Sequence, residues 1–83
     1  MEYALSQHAT DVMRERRIDP TWITETLTEP MHTEPDADDP QLMHALRRID
    51  AFGSRVLRVI FNTNRVPVLV VTVFFDRGMR GKL

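Results

Sequence analysis

Ten of the eleven basic residues in this 83-residue sequence are arginines. A planar guanidinium grips phosphate or carboxylate with two hydrogen bonds, which the ammonium of the single lysine, Lys82, does not do as well. The charges are also segregated. Residues 1–41 sum to −7 and residues 42–83 to +6, although the whole chain is only −1. One reading is a phosphate-bearing partner for the basic half; the other is that the two halves of the chain pair with each other. Two arginines stand in unusual positions. Arg16 falls in the middle of an apolar helical stripe, and Arg58 alternates with Val56 and Ile60 on one strand face. The remaining groups able to do chemistry are His8, whose imidazole can both take and give a proton, and an acidic cluster of Asp36, Asp38 and Asp39. That cluster lacks the glycine and closing glutamate of a calcium loop, which favours a solvated turn over a metal site. A set of His32, Asp36, Asp38 and His44 is spread over a proline-broken loop without a ligand spacing typical of zinc.

The elements that must carry these residues can be read from periodicity. Ser6 is placed to cap a helix over Gln7–Arg17, with Leu5, Ala9, Val12, Met13 and Arg16 on one face and His8 and Glu15 at its edge. Asp19-Pro20 is a second helix start. Trp22, Ile23, Thr26 and Leu27 form its apolar stripe, and Pro30 ends it. Glu29–Gln41, with three prolines and five acids, reads as a loop with a brief extended piece near Met31–Thr33, since Pro35 and Pro40 oppose regular structure. Three strands follow, at Leu42–Ile49, Ser54–Phe61 and Val66–Phe75, joined by turns at Asp50–Gly53 and Asn62–Arg65. The last, VPVLVVTVFF, is expected to be the central strand, buried on both faces, with Pro67 near its start. Arg77, Arg80 and Lys82 end in a loosely held tail. The expected fold is α+β: one domain over residues 1–83, with two N-terminal helices packed on a three- to four-stranded antiparallel sheet. Met13, Met31, Met43, Trp22, Phe61, Phe74 and Phe75 are assigned to its core, and His32 and His44 to solvent.

Composition narrows the class. Apolar residues at 42% and charged residues at 28% suit a soluble globular chain rather than a disordered or membrane-spanning one. The lack of cysteine excludes disulfides and thiolate metal sites, and a cytoplasmic location is the expectation.

Ser6-Gln7-His8-Ala9, followed by Met13, Arg16 and Ile18, is similar to the S-x-H-A-x-x-x-M-x-x-R-x-I pattern that opens domain-of-unknown-function family 4258. Arg55-Val56-Leu57-Arg58-Val59-Ile60 and Val71-Thr72-Val73 resemble its "LRVV" and "VTV" strands. The acidic loop and the tail lie outside this pattern. Families of this kind have been linked to the barnase, EndoU, colicin and RelE group of ribonuclease toxins, and their order of elements resembles BrnT toxins. The resemblance implies RNA cleavage without a metal or other cofactor. Such chemistry needs a base for the ribose 2′-OH, an acid for the leaving oxygen and cations for the charged transition state. On that footing His8 is the candidate for proton transfer, Arg16 and Arg58 for charge stabilisation and Thr72 for a neutral hydrogen bond. Arg47, Arg48, Arg77 and Arg80 are candidates for RNA binding.

Two functions follow as expectations. In the first, the domain is the RNA-cleaving component of a toxin–antitoxin type system, although a sequence pI near 6.3 is low for such a protein. In the second, it is a non-catalytic interaction module that holds an antitoxin-like protein partner, or a second copy of itself, through its arginine-rich sheet.

Overall fold

The computed structural model describes residues 2–83. Its elements run β1 (Tyr3–Leu5), α1 (Gln7–Glu15), α2 (Pro20–Thr28), β2 (His32–Pro35), β3 (Leu42–Ile49), β4 (Arg55–Asn62) and β5 (Val68–Phe75), with short 3₁₀ turns at Asp50–Phe52 and Arg77–Met79. The two helices and the β3–β4–β5 meander agree with the expected α+β class. The sheet differs from the expectation in two ways. It has five strands in the order β1-β5-β4-β3-β2, and it is mixed, because β1 pairs parallel to β5 through Tyr3↔Val68, Ala4↔Leu69 and Leu5↔Val70. The middle strand is therefore β4, and β5 is flanked on its outer side by β1 over only three residues. Leu5 belongs to that strand instead of the α1 stripe.

Local chemistry explains the boundaries. The Ser6 side chain caps α1 by accepting from the Ala9 amide at 3.0 Å, and its hydroxyl donates to the Val71 carbonyl at 2.9 Å, fixing the helix start to the sheet edge. At the other end Arg17 takes φ +53°, and the Ile18 amide bonds the Met13 carbonyl while that of Arg17 bonds Arg14, a Schellman closure built on arginine in place of glycine. Asp19 caps α2 through the Thr21 amide at 2.8 Å. In the proline-rich segment, β2 forms up to and including Pro35, where regular structure was not expected. Proline is tolerated there because β2 is an edge strand at the end of its pairing with β3. At the start of β5 the chain enters the sheet only at Val68, leaving Val66 fully exposed.

The helices cover one face of the sheet. Ala9, Ile18, Ile23 and Leu27 meet Ala45, Ile49, Leu57, Val59, Val70 and Val73, with Val12, Met13, Trp22, Phe61 and Phe75 packed around them. Among the described residues no α-helix packs on the opposite face. On it, Leu46 and Val56 are buried apart from the main core, and the cross-strand pairs Leu46↔Arg58, His44↔Ile60, Glu34↔His44, Arg58↔Phe74 and Ile60↔Thr72 set its composition. Phe74 and Met31, assigned to the core from their type, are 40% and 42% exposed. Phe74 lies on this open face by strand alternation, and Met31 precedes the edge strand.

Candidate functional site

Three groups of polar residues meet on or beside the open face. The first is an ionic network centred on Arg58. Its Nε and Nη2 donate to Asp76 Oδ2, each at 2.9 Å, and Nη1 donates to Glu34 Oε1 at 2.9 Å and to His44 Nδ1 at 2.7 Å. Because His44 Nδ1 accepts from a guanidinium, the ring proton sits on Nε2, which donates to Asp36 Oδ1 at 2.6 Å. Asp36 Oδ2 in turn accepts the amides of Asp38 and Asp39. The acidic cluster is therefore a turn organised by one carboxylate. No group of three or more His, Asp or Glu side chains able to hold a metal occurs among the described residues.

The electrostatics follow from these bonds. The hydrogen bond from Arg58 holds the Glu34 carboxyl below its ordinary range, and the bond from His44 does the same for Asp36, reinforced by the Asp39 and Asp38 amides. Burial alone would lower the pKa of Arg58, but the hydrogen bonds to Glu34 and Asp76 outweigh it, so the guanidinium is held charged. His44, expected in solvent, is instead a linking member of this network, with its side chain 14% exposed.

The second group is His8 with Thr72. His8, on the first turn of α1, places Nε2 at 3.2 Å from Thr72 Oγ1. Asp11 bonds Gln7 and not His8. When Thr72 accepts from Nε2–H, the lone pair of the imidazole lies on Nδ1, and His8 is exposed. Among the described residues no strand pairs with the outer side of β5 beyond Val70, the partner of Leu5, so this contact sits at an open sheet edge flanked by α1.

The third group is a cleft of about 510 Å³ at the end of the sheet where β4 begins and β5 ends. Arg16, Arg55, Arg77 and Arg80 line it together with Asp76, and Ile18, Phe52, Val56 and Phe75 form its apolar wall. Among the described residues none of these four arginines forms an ion pair, while Asp76 is taken by Arg58. Arg16 is thus resolved as an exposed residue at the helix C-cap, bonded to neither Asp50 nor Asp76. From Thr72 to Phe75 is three strand residues, about 10 Å. From His8 to Arg16 is eight helical residues, about 12 Å. The His8–Thr72 contact and the cleft are thus the two ends of one strip along α1 and β5.

The sequence candidates divide accordingly. His8 and Thr72 come together, and Arg16, Arg77 and Arg80 come together. Arg58 shares the open face with Thr72 but spends its donors on its own chain. Arg47 donates one bond to the Glu29 carbonyl at 2.7 Å, and Arg48 donates to Asp50 at 2.7 Å and to the Leu83 carbonyl at 2.9 Å, so neither belongs to the cleft and each spends donors within the chain. The Arg48 bond also keeps Asp50 below the usual carboxylate range. Sequence reasoning weighed Asp36 and His44 only as metal ligands and missed their ionic network with Arg58, together with Glu34 and Arg55. The hairpin register would have placed His44 beside Arg58, and the spacing from Phe52 to Arg55 across the turn was the signal for the latter.

No helix among the described residues is long and apolar enough to cross a membrane. No curated protein and no solved structure gives a significant match to this chain. Residues 5–75, from the end of β1 to the end of β5, match the model of a family described as a domain of unknown function, DUF4258, and they carry His8, Arg16, Arg58 and Thr72 within the match; the chain belongs to that family.

Proposed function

We propose that this domain binds single-stranded RNA along the α1–β5 edge and cleaves it without a metal, as the toxin-like member of a toxin–antitoxin type pair. The observation that carries the reading is the convergence of Arg16, Arg55, Arg77 and Arg80, all without carboxylate partners among the described residues, in one cleft. Four cations in one cleft make a local anion site even though the chain as a whole carries −1. His8 Nδ1 takes the ribose 2′-OH proton, and the resulting oxygen attacks the adjacent phosphorus. The bond to the 5′ oxygen breaks, and the proton on His8 passes to that leaving oxygen. The products are a 2′,3′-cyclic phosphate and a 5′-hydroxyl. Thr72 orients the imidazole, and the arginines of the cleft, about 10 Å along the strip, hold neighbouring phosphates and so position the strand.

The test is incubation of the purified protein with total RNA and a structured tRNA in the presence of a chelator. Cleavage leaving cyclic phosphate ends, reduced by about 100-fold or more in His8→Ala, supports the reading. No turnover at any protein concentration refutes it. A second reading has its own observation: Arg48 and Arg58, the arginines of the open sheet face, are both bonded within the chain, to Asp50 and the Leu83 carbonyl and to Asp76 and Glu34, so that face is already complemented by this protein's own groups. A non-catalytic module would then use the same cleft for an acidic segment of a protein partner. Salt-sensitive binding of an acidic peptide, without RNA cleavage, would select it.

A further inference from the structure

The cleft contains an arrangement that anion binding alone does not require. Phe52, in the turn between β3 and β4, packs with its ring centroid 4.9 Å from Phe75 and 5.3 Å from Trp22. The Arg55 guanidinium carbon lies over the same ring, 5.0 Å from its centroid. Phe52 therefore packs against Phe75 and Trp22, carries the Arg55 guanidinium over its ring, lines the cleft together with Arg55, and remains 38% exposed. Arg55 itself is exposed and has no carboxylate partner among the described residues. A guanidinium laid over an aromatic ring keeps its second planar face free, and that face is a platform on which a nucleobase stacks. Arg16, Arg77 and Arg80 complete the cleft with donors for phosphate oxygens, and a volume of about 510 Å³ is in the range of pockets that hold small ligands.

We infer that the cleft is a nucleotide subsite: the base stacks on the Arg55–Phe52 pair while the phosphate is held by Arg16, Arg77 and Arg80. This rests on the reading of the cleft as a phosphate site, and it adds that the ligand unit is a nucleoside monophosphate, free or within a strand, and not a bare anion or an acidic side chain. Arg55 acts here through its plane more than through its charge. Lysine, with the same charge and no plane, is therefore the informative replacement.

Trp22 is the only tryptophan in the chain and touches Phe52, so its fluorescence reports on occupancy. The intact protein is titrated with AMP, ribose 5-phosphate and inorganic phosphate, with calorimetry as a second readout. AMP is expected to bind about tenfold or more tighter than ribose 5-phosphate, the effect of one base stack. In Arg55→Lys that ratio falls to within about twofold, and Phe52→Leu, which removes the support under Arg55, lowers it in the same direction. Equal affinity of the parent protein for AMP and ribose 5-phosphate overturns the inference, as does an Arg55→Lys variant that keeps the full ratio. A 2′-O-methyl tetra-adenylate, which cannot be cleaved through its 2′ oxygen, separates the sources. Binding at least tenfold tighter than AMP supports a strand as the natural ligand, and equal binding supports a free nucleotide. Preferential AMP binding without RNA cleavage would leave this subsite standing and remove the ribonuclease reading. Failure of all three small phosphates to bind would remove both.

Discussion

Replacing Arg58 with methionine isolates the energetic weight of the ionic network, since methionine keeps most of the apolar stem and removes the guanidinium. Four donor contacts disappear, two to Asp76 and one each to Glu34 and His44. Glu34 is 43% exposed on its side chain, so water takes over its contact and its loss is discounted. Asp76 at 22% and His44 at 14% exposure are less easily rehydrated. Counting about 1.5 kcal/mol for each of those two partners left without its charged donor, the variant loses about 3 kcal/mol. For a domain of this size that corresponds to a fall in Tm of roughly 12–24 °C, read by circular dichroism at neutral pH. The pH dependence provides a sharper check. Glu34 has its folded pKa lowered, with the Arg58 hydrogen bond as the largest cause. A carboxyl lowered on folding binds fewer protons in the folded than in the unfolded state, so its contribution is present at neutral pH. That contribution is lost as the pH falls below about 5 and through the folded pKa. The stability gap between parent and Arg58→Met should therefore narrow from pH 6 toward pH 3. A variant melting within about 4 °C of the parent would refute the assignment of Arg58 as the hub of this face, and a gap that stays constant into acid would remove the Glu34 contact from it.

Other expectations concern the elements that position the site. Ser6→Ala removes both the cap to the Ala9 amide and the bond to the Val71 carbonyl, and should cost about 2 kcal/mol in a denaturant titration. Arg17→Gly should stabilise the domain by up to about 1 kcal/mol, because φ +53° is strained for arginine and free for glycine; a loss of stability would mean that the arginine side chain contributes more than the strain. For a 2′-O-methyl RNA strand, affinity should fall with salt with a log–log slope of about −2 for the three phosphate-binding arginines, dropping to about −0.7 in the Arg16→Ala/Arg80→Ala double variant. A slope near zero in the parent protein, measured by fluorescence anisotropy, would remove the cleft as an RNA contact.

What the sequence determined by itself were the features set by neighbours along the chain. Ser6 and Asp19-Pro20 announced both helix starts through capping chemistry, the alternation in Arg55–Phe61 announced one strand because a pleated ribbon sends successive side chains to opposite faces, and the unbroken β-branched and aromatic run of Val66–Phe75 announced another. The family pattern was legible for a related reason, since its motifs lie on those same elements. The parallel pairing of β1 was not legible. Three residues carry no periodicity, and their partner is 65 positions away, with Tyr3 on Val68. Pro35 could join a strand only because that strand fell at the sheet's edge, which is a property of the assembled sheet. His44 looked like a surface histidine until the β2–β3 and β3–β4 registers placed it between Asp36 and Arg58. The arginine cleft shows the same dependence: Arg16, Arg55, Arg77 and Arg80 come from a helix end, a strand start and the tail. Guanidinium chemistry marked them as anion ligands from the outset, but only the packing of those three segments decided which arginines would meet in the cleft and which would be neutralised within the chain.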